Sequence, residues 1–157
     1  MKEIAPEEIA RIRNIIIGQF SQIEELINDA VYDYYKNTTN TIFVEDIFMT
    51  GLNGISLKIE LLKRIIWYNI DIYADFLPSK KIINKFLQNI RDCSLIRNYF
   101  AHNSLMTITN DGFFRGDKSF DFTIDIFKKE QEFNEKMEHL WPILGWIIGH
   151  LRNSNLK

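Results

Sequence analysis

The sequence predicts an all-α fold, a bundle of four principal helices with a small β-hairpin inserted between the third and the fourth. Three observations predict it. Apolar residues recur every three or four positions over long stretches, the pattern of helices that bury one face. Polar or proline-bearing breaks separate those stretches, at Asn37-Thr38-Thr39-Asn40, Asn53-Gly54 and Leu77-Pro78-Ser79. Ahead of the last helix the period drops to two, with Phe120, Phe122, Ile124 and Ile126 alternating with Asp121, Thr123 and Asp125.

The first helix is expected from Pro6 to Lys36. Pro6 suits a first turn, where a missing N–H costs nothing, and Glu7 and Glu8 complement the positive end of the helix dipole. Ile9, Ile12, Ile16, Phe20, Ile23, Ile27, Ala30 and Tyr34 form its apolar stripe. Thr41 to Leu52 combines β-rich Ile42-Phe43-Val44 with helix-compatible Ile47 and Phe48, and reads as a packed connector. Ser56 or Asn53 can cap a second helix reaching Phe76, with Leu57, Leu61, Ile65, Tyr68 and Ile72 inward and Leu62 and Ile66 widening the stripe. Lys58, Lys63 and Arg64 are expected off that stripe.

Pro78 stops the second helix and Ser79 is placed to cap the third, which runs from Lys80 to about His102. Ile83, Phe86, Leu87, Ile90 and Ser94 trace its buried side, and Arg97 and Ala101 continue the line. The core-facing stripe thus turns polar in its last two turns. After it, Leu105 to Thr109 reads as a strand and Asn110-Asp111-Gly112 as a turn. The tip of the arm, Phe113 to Ser119, carries Phe114, Arg115 and Lys118 and is either a solvated loop or an RNA-contacting edge. The last helix is expected from Phe127 to Leu151, with Phe133, Met137, Leu140, Leu144, Ile147 and Leu151 inward and Pro142 inside it. Trp141 and Trp146 fall partly off that stripe, which makes the C-terminal half a candidate for subunit contact.

Composition bounds the possibilities. At 157 residues the chain is most simply one domain, residues 1–157, large enough to bury a core of its own. Hydrophobic residues at 46% and charged residues at 25% argue against wholesale disorder. The single cysteine, Cys93, cannot form an internal disulfide, and no apolar run is long enough for a signal sequence or a membrane span, so a soluble cytoplasmic protein is expected. The net charge of −2 argues against an extended nucleic-acid platform but not against a small site with local cations.

The residues with most chemical content are Arg97, Asn98 and His102, at the end of the third helix. Asn98 and His102 are i and i+4 and share a face, so the amide can reach the imidazole, whereas Arg97 lies about 140° from His102 and points elsewhere. One copy of such a site is splayed. Read alone, these residues are accounted for by a buried polar pair that fixes helix packing.

Arg97-Asn98-x-x-Ala101-His102 resembles the hallmark of the HEPN superfamily (higher eukaryotes and prokaryotes nucleotide-binding domains), in which Arg and a polar residue precede His at the end of a helix. The resemblance implies a metal-independent endoribonuclease that leaves 2′,3′-cyclic phosphate ends and needs no cofactor. It implies a homodimer whose two motifs meet in one RNA-cutting cleft, which resolves the splay. It also implies a toxin or a defence effector against foreign RNA, held in check by an antitoxin of nucleotidyltransferase type. The alternative within the family is a non-catalytic module that binds RNA, a nucleotide or a protein.

Residue chemistry fits those roles. An unperturbed imidazole titrates near 6.5, so His102 can exchange protons with a 2′-OH or a leaving 5′-oxygen near neutral pH. Arg97 offers a fork that matches phosphate oxygens, and Asn98 is expected to fix the ring or bind phosphate. Tyr99 can stack on a base, although aromatics at helical spacing are usually core. No metal constellation is present: His139 and His150 are far apart and there is no CxxC or HxxxH. Gly51-Leu52-Asn53-Gly54 lacks the Lys of a phosphate-binding loop. Cys93 has no His within reach and reads as filler.

Overall fold

The computed structural model describes residues 6–36, 54–101, 107–108, 113–115 and 123–154. Four helices dominate it: α1 (Pro6–Tyr35), α2 (Ile55–Tyr68), α3 (Lys80–Ala101) and α4 (Ile126–Ser154). Between α3 and α4, the short strands β1 (Thr107–Ile108), β2 (Phe113–Arg115) and β3 (Thr123–Asp125) pair antiparallel in the order β1-β2-β3. Phe114 pairs with Ile108 on one side and with Ile124 on the other. The segment expected as the tip of a two-stranded arm is therefore, at 113–115, the central strand of three. The expected turn at 110–112 and the rest of the tip, 116–119, lie outside the described residues, as do the helix stop at 37–40 and the connector at 41–52.

Helix α1 packs against each of the other three helices, so its stripe is the spine of the core. Ile9, Ile12, Ile16, Phe20, Ile23, Ile27 and Ala30 are all buried, and Tyr34 packs at the edge. Each fully buried Ile, Leu or Phe is worth about 1.5–3 kcal/mol of transfer free energy, which is what holds four amphipathic helices together. On α3 the buried set is Ile83, Phe86, Leu87, Ile90, Cys93, Ser94, Ile96 and Phe100. On α4, Phe133, Met137, Leu140, Leu144, Ile147 and Leu151 point inward as their spacing predicts. Ser79 Oγ accepts a hydrogen bond from the Ile82 N–H at 3.3 Å, the cap expected at the start of α3.

Helix α2 departs from expectation in three ways. It ends at Tyr68, and residues 69–76 continue as turns, with Asn69 Nδ2 donating to the Ile65 carbonyl at 2.8 Å. Its N-cap is Gly54, with no side-chain cap bond, so Ser56 does not cap it. The buried face is Lys58, Ile59, Leu62, Ile65 and Ile66, while Leu57, Tyr68 and Ile72 are exposed. The face is thus turned by about one residue, 100°, from the expected stripe. It carries a lysine inward. Trp146 is half-buried: Phe76 lies 4.1 Å from it, centroid to centroid, and Tyr73 5.6 Å.

Ion pairs join the helices to one another. Lys136 on α4 reaches Asp92 on α3 at 2.9 Å, Arg91 on α3 reaches Glu60 on α2 at 3.0 Å, and Arg152 joins α4 to Asp29 and Asp33 of α1 at 2.8 and 3.1 Å. No helix among the described residues is long and apolar enough to cross a membrane.

Candidate functional site

Arg97 sits in the last turns of α3, on the line Ile90, Ser94, Arg97 that faces α1. Its side chain is 24% exposed, so the guanidinium is desolvated on one side and reachable on the other. Nη2 pairs with Glu24 Oε2 on α1 at 3.0 Å, and Nη1 donates to Asn98 Oδ1 at 2.9 Å. Beneath it lies Phe20, with Cζ 5.2 Å from the ring centroid, a cation–π contact against a fully buried face. A guanidinium has five N–H donors. Two are used among the described residues, which leaves the fork capacity for an anion.

The expected splay of Arg97 from His102 falls on a residue outside the described ones, but Arg97 does reach Asn98 with its guanidinium. Its long stem folds the guanidinium back across its neighbour, and the Asn98 carbonyl oxygen is occupied by that bond. What Asn98 retains is its NH₂ group, a donor suited to a phosphate oxygen or to an unprotonated ring nitrogen.

Glu24 is held from both sides. Oε2 faces Arg97, and Oε1 lies 3.7 Å from Lys58 Nζ on α2. The cluster joins three helices and carries two cations to one carboxylate, so it is locally positive although the chain is net −2. At the end of α3, Arg13 of α1 donates through Nη2 to the Ala101 carbonyl at 3.4 Å, which satisfies one of the orphan acceptors of the helix terminus and adds a further cation there.

His102 follows Ala101 in the chain and lies outside the described residues, as does Lys118. Arg115 ends β2, its backbone register set by Thr107 and Thr123. Tyr99 is 40% exposed, whereas Phe100 is buried and belongs to the core. Leu95, 57% exposed, lies one turn before Tyr99 on the same face.

The other titratable groups are arranged differently. Burial pushes the Cys93 thiol up to about 12, which leaves it protonated and unreactive, as filler should be. His139 is exposed and lines a cleft of about 220 Å³ between α3 and α4, with Ile82, Lys85, Phe86, Asn89 and Ile143. That cleft is two turns or more from Arg97 and shares no residue with the cluster. His150 stands edge-on to Tyr73 and its ring contacts Ser154 Oγ at 3.2 Å. Among the described residues no three His, Cys, Asp or Glu side chains gather closely enough to hold a metal ion.

Glu24 was not singled out by the sequence and Lys58 was expected off the inward stripe, yet a signal exists for each. Lys58 stands four and seven residues before Leu62 and Ile65, on one helical face, and Glu24 follows Phe20 by four. No protein-family model, no curated protein and no solved structure matches the chain. The resemblance to HEPN domains accordingly rests on the motif residues and on their setting at the end of a long helix in a helical bundle.

Proposed function

We propose that the chain is a metal-independent endoribonuclease of HEPN type, acting as a homodimer whose composite cleft takes Arg97, Asn98 and His102 from both copies. The observation that carries this reading is the placement of Arg97. It is anchored by Glu24, Asn98 and Phe20 in the last turns of α3, keeps unused donors, and precedes His102 by five residues. Pre-positioned cations that need no reorganisation are what stabilisation of developing charge requires.

In this reading His102 takes the proton from the RNA 2′-OH as that oxygen attacks the adjacent phosphorus, and the second copy's motif supplies a proton to the departing 5′-oxygen. Arg97 and the Asn98 amide bind the phosphate oxygens, on which charge builds in the pentavalent transition state. The products carry a 2′,3′-cyclic phosphate on one side and a 5′-hydroxyl on the other. Leu95 and Tyr99, exposed on the turn that carries Asn98, supply apolar area for a second copy beside the motif. Arg115 and Lys118 supply cations for flanking RNA. The biological role that goes with this chemistry is that of a toxin or a defence effector, paired with an antitoxin of nucleotidyltransferase type, in the cytoplasm.

A non-catalytic HEPN-like module is the second reading, and the Arg97–Glu24 pair favours it, since a guanidinium that is neutralised within the fold has a packing role already. Dilution separates the two. A composite site loses specific activity as the dimer dissociates, so cleavage per mole in EDTA should fall with dilution in step with sedimentation of the dimer. A chain that is inert on varied RNAs at every concentration supports the module.

A further inference from the structure

Lys58 is 8% exposed, and its only ion-pair contact among the described residues is Glu24 Oε1 at 3.7 Å, beyond hydrogen-bond length. An ammonium has three donors, and among the described residues Lys58 uses none of them at hydrogen-bond length, while its Nζ is not fully enclosed and so stays reachable by a ligand. Apolar replacements of similar shape would pack against Ile59 and Leu62 at less cost. Glu24 is in the same position from the other side: one carboxylate spans the lysine and Arg97, from different helices, across its two oxygens. A phosphate also presents two oxygens of one group to two cations.

We infer that Lys58 is a further substrate-binding cation of this site, forming with Arg97 a paired seat for a phosphate of the RNA backbone, and that Glu24 is the positioning carboxylate that keeps the two cations in register. This rests on the reading that the site takes RNA. Glu24 attracts the cations to one place and at the same time repels the incoming anion, so the ligand shares the two cations with a carboxylate that stays. Two cations against one carboxylate leave the seat net positive, and the Arg13 guanidinium at Ala101 adds to that sign. The opposed roles of Glu24 give the inference a signature that a packing ion pair lacks.

The test is binding of a fluorescent 2′-O-methyl RNA oligonucleotide, which has no free 2′-OH to react, measured by anisotropy on the full chain at several salt concentrations. Lys58→Met should bind about tenfold more weakly, the scale of one charge-assisted contact. It should also lower the slope of log affinity against log salt by about 0.7. Lys58→Arg should bind close to wild type. Glu24→Gln should bind roughly threefold more tightly, because a like charge is gone, while cleaving an unmodified RNA with a lower kcat. Binding by Lys58→Met with wild-type affinity and slope overturns the inference, and so does parallel weakening of Lys58→Met and Glu24→Gln. If RNA cleavage by the wild type is absent but the binding pattern holds, the ribonuclease reading fails and the phosphate seat stands. If cleavage depends on His102 but Lys58→Met behaves as wild type, the seat alone fails, and absence of any binding overturns both.

Discussion

Glu24 on α1 and Arg97 on α3 are 73 residues apart in the chain and 3.0 Å apart in the fold, joined by an ion pair that is three-quarters shielded from solvent. Everything proposed for the site turns on that pair, because it fixes where the guanidinium is and how much of it is left for a ligand.

Removing the carboxylate should cost stability. Glu24→Ala leaves Lys58 buried without a counter-ion and Arg97 with Asn98 alone, and a partly exposed pair of this kind should destabilise by about 1–2 kcal/mol. Urea unfolding checks this. The midpoint should fall with an unchanged m-value, and an unchanged midpoint would mean that the pair contributes nothing to folding.

A second ion pair sets a pH dependence. Burial works to raise the Asp92 carboxyl, but hydrogen bonds from Lys136 and Gln88 outweigh it and hold it below the usual aspartate range. A carboxyl lowered in the folded state contributes fully above its unfolded value, near 3.9, and that contribution is lost as pH falls through the folded value. Burial opposes, and the Asp92 bond outweighs, in the same way at Lys136, whose ammonium is raised and whose share is lost only in strong alkali. Asp92→Asn should therefore be less stable than wild type at pH 7, by a few tenths to about 1 kcal/mol. The difference should narrow as pH falls below the unfolded aspartate value. A gap that does not narrow in acid contradicts this.

Cys93 should report opening of the bundle. With its side chain buried in α3 and its thiol pushed up to about 12, it should resist alkylation in native buffer at pH 8 and react promptly in denaturant. Fast native-state labelling by mass spectrometry would contradict the packing of α3 against its neighbours.

Tyr73 is fully buried, and its hydroxyl has no hydrogen-bond partner among the described residues; burial pushes the phenol up to about 12. Because an unpaired buried hydroxyl costs about 1–3 kcal/mol, Tyr73→Phe should be neutral or stabilising, with a thermal midpoint no lower than wild type. A clear loss of stability would show that the hydroxyl is bonded.

The fold was legible where side-chain spacing alone decides it. The stripe from Ile9 to Ala30 and the stripe from Phe133 to Leu151 repeat every three or four residues, and a helix has one way to bury them. On α2 the same logic failed, because Leu57 and Leu61 compete with Leu62 and Ile66 for the core, and α1 and α3 chose the face that carries Lys58. Arg97 was legible as the point where the stripe of α3 turns polar. Its partners were not, since Glu24 and Lys58 lie on other helices and only packing brings them to one guanidinium. The bond from Arg97 to Asn98 escaped for a local reason: helical angles place the Cβ atoms, and a four-bond stem can bend back from where they point.

The most direct measurement is RNA cleavage in EDTA by wild type, Arg97→Ala and His102→Ala, with oligomeric state checked for each and the product ends analysed. General acid–base catalysis contributes about 10²–10⁴-fold, so loss of His102 should take cleavage below detection. Wild type should leave 2′,3′-cyclic phosphate ends, and both variants should be inactive yet still dimerise. Equal cleavage by wild type and His102→Ala, or products bearing 5′-phosphates, would contradict it.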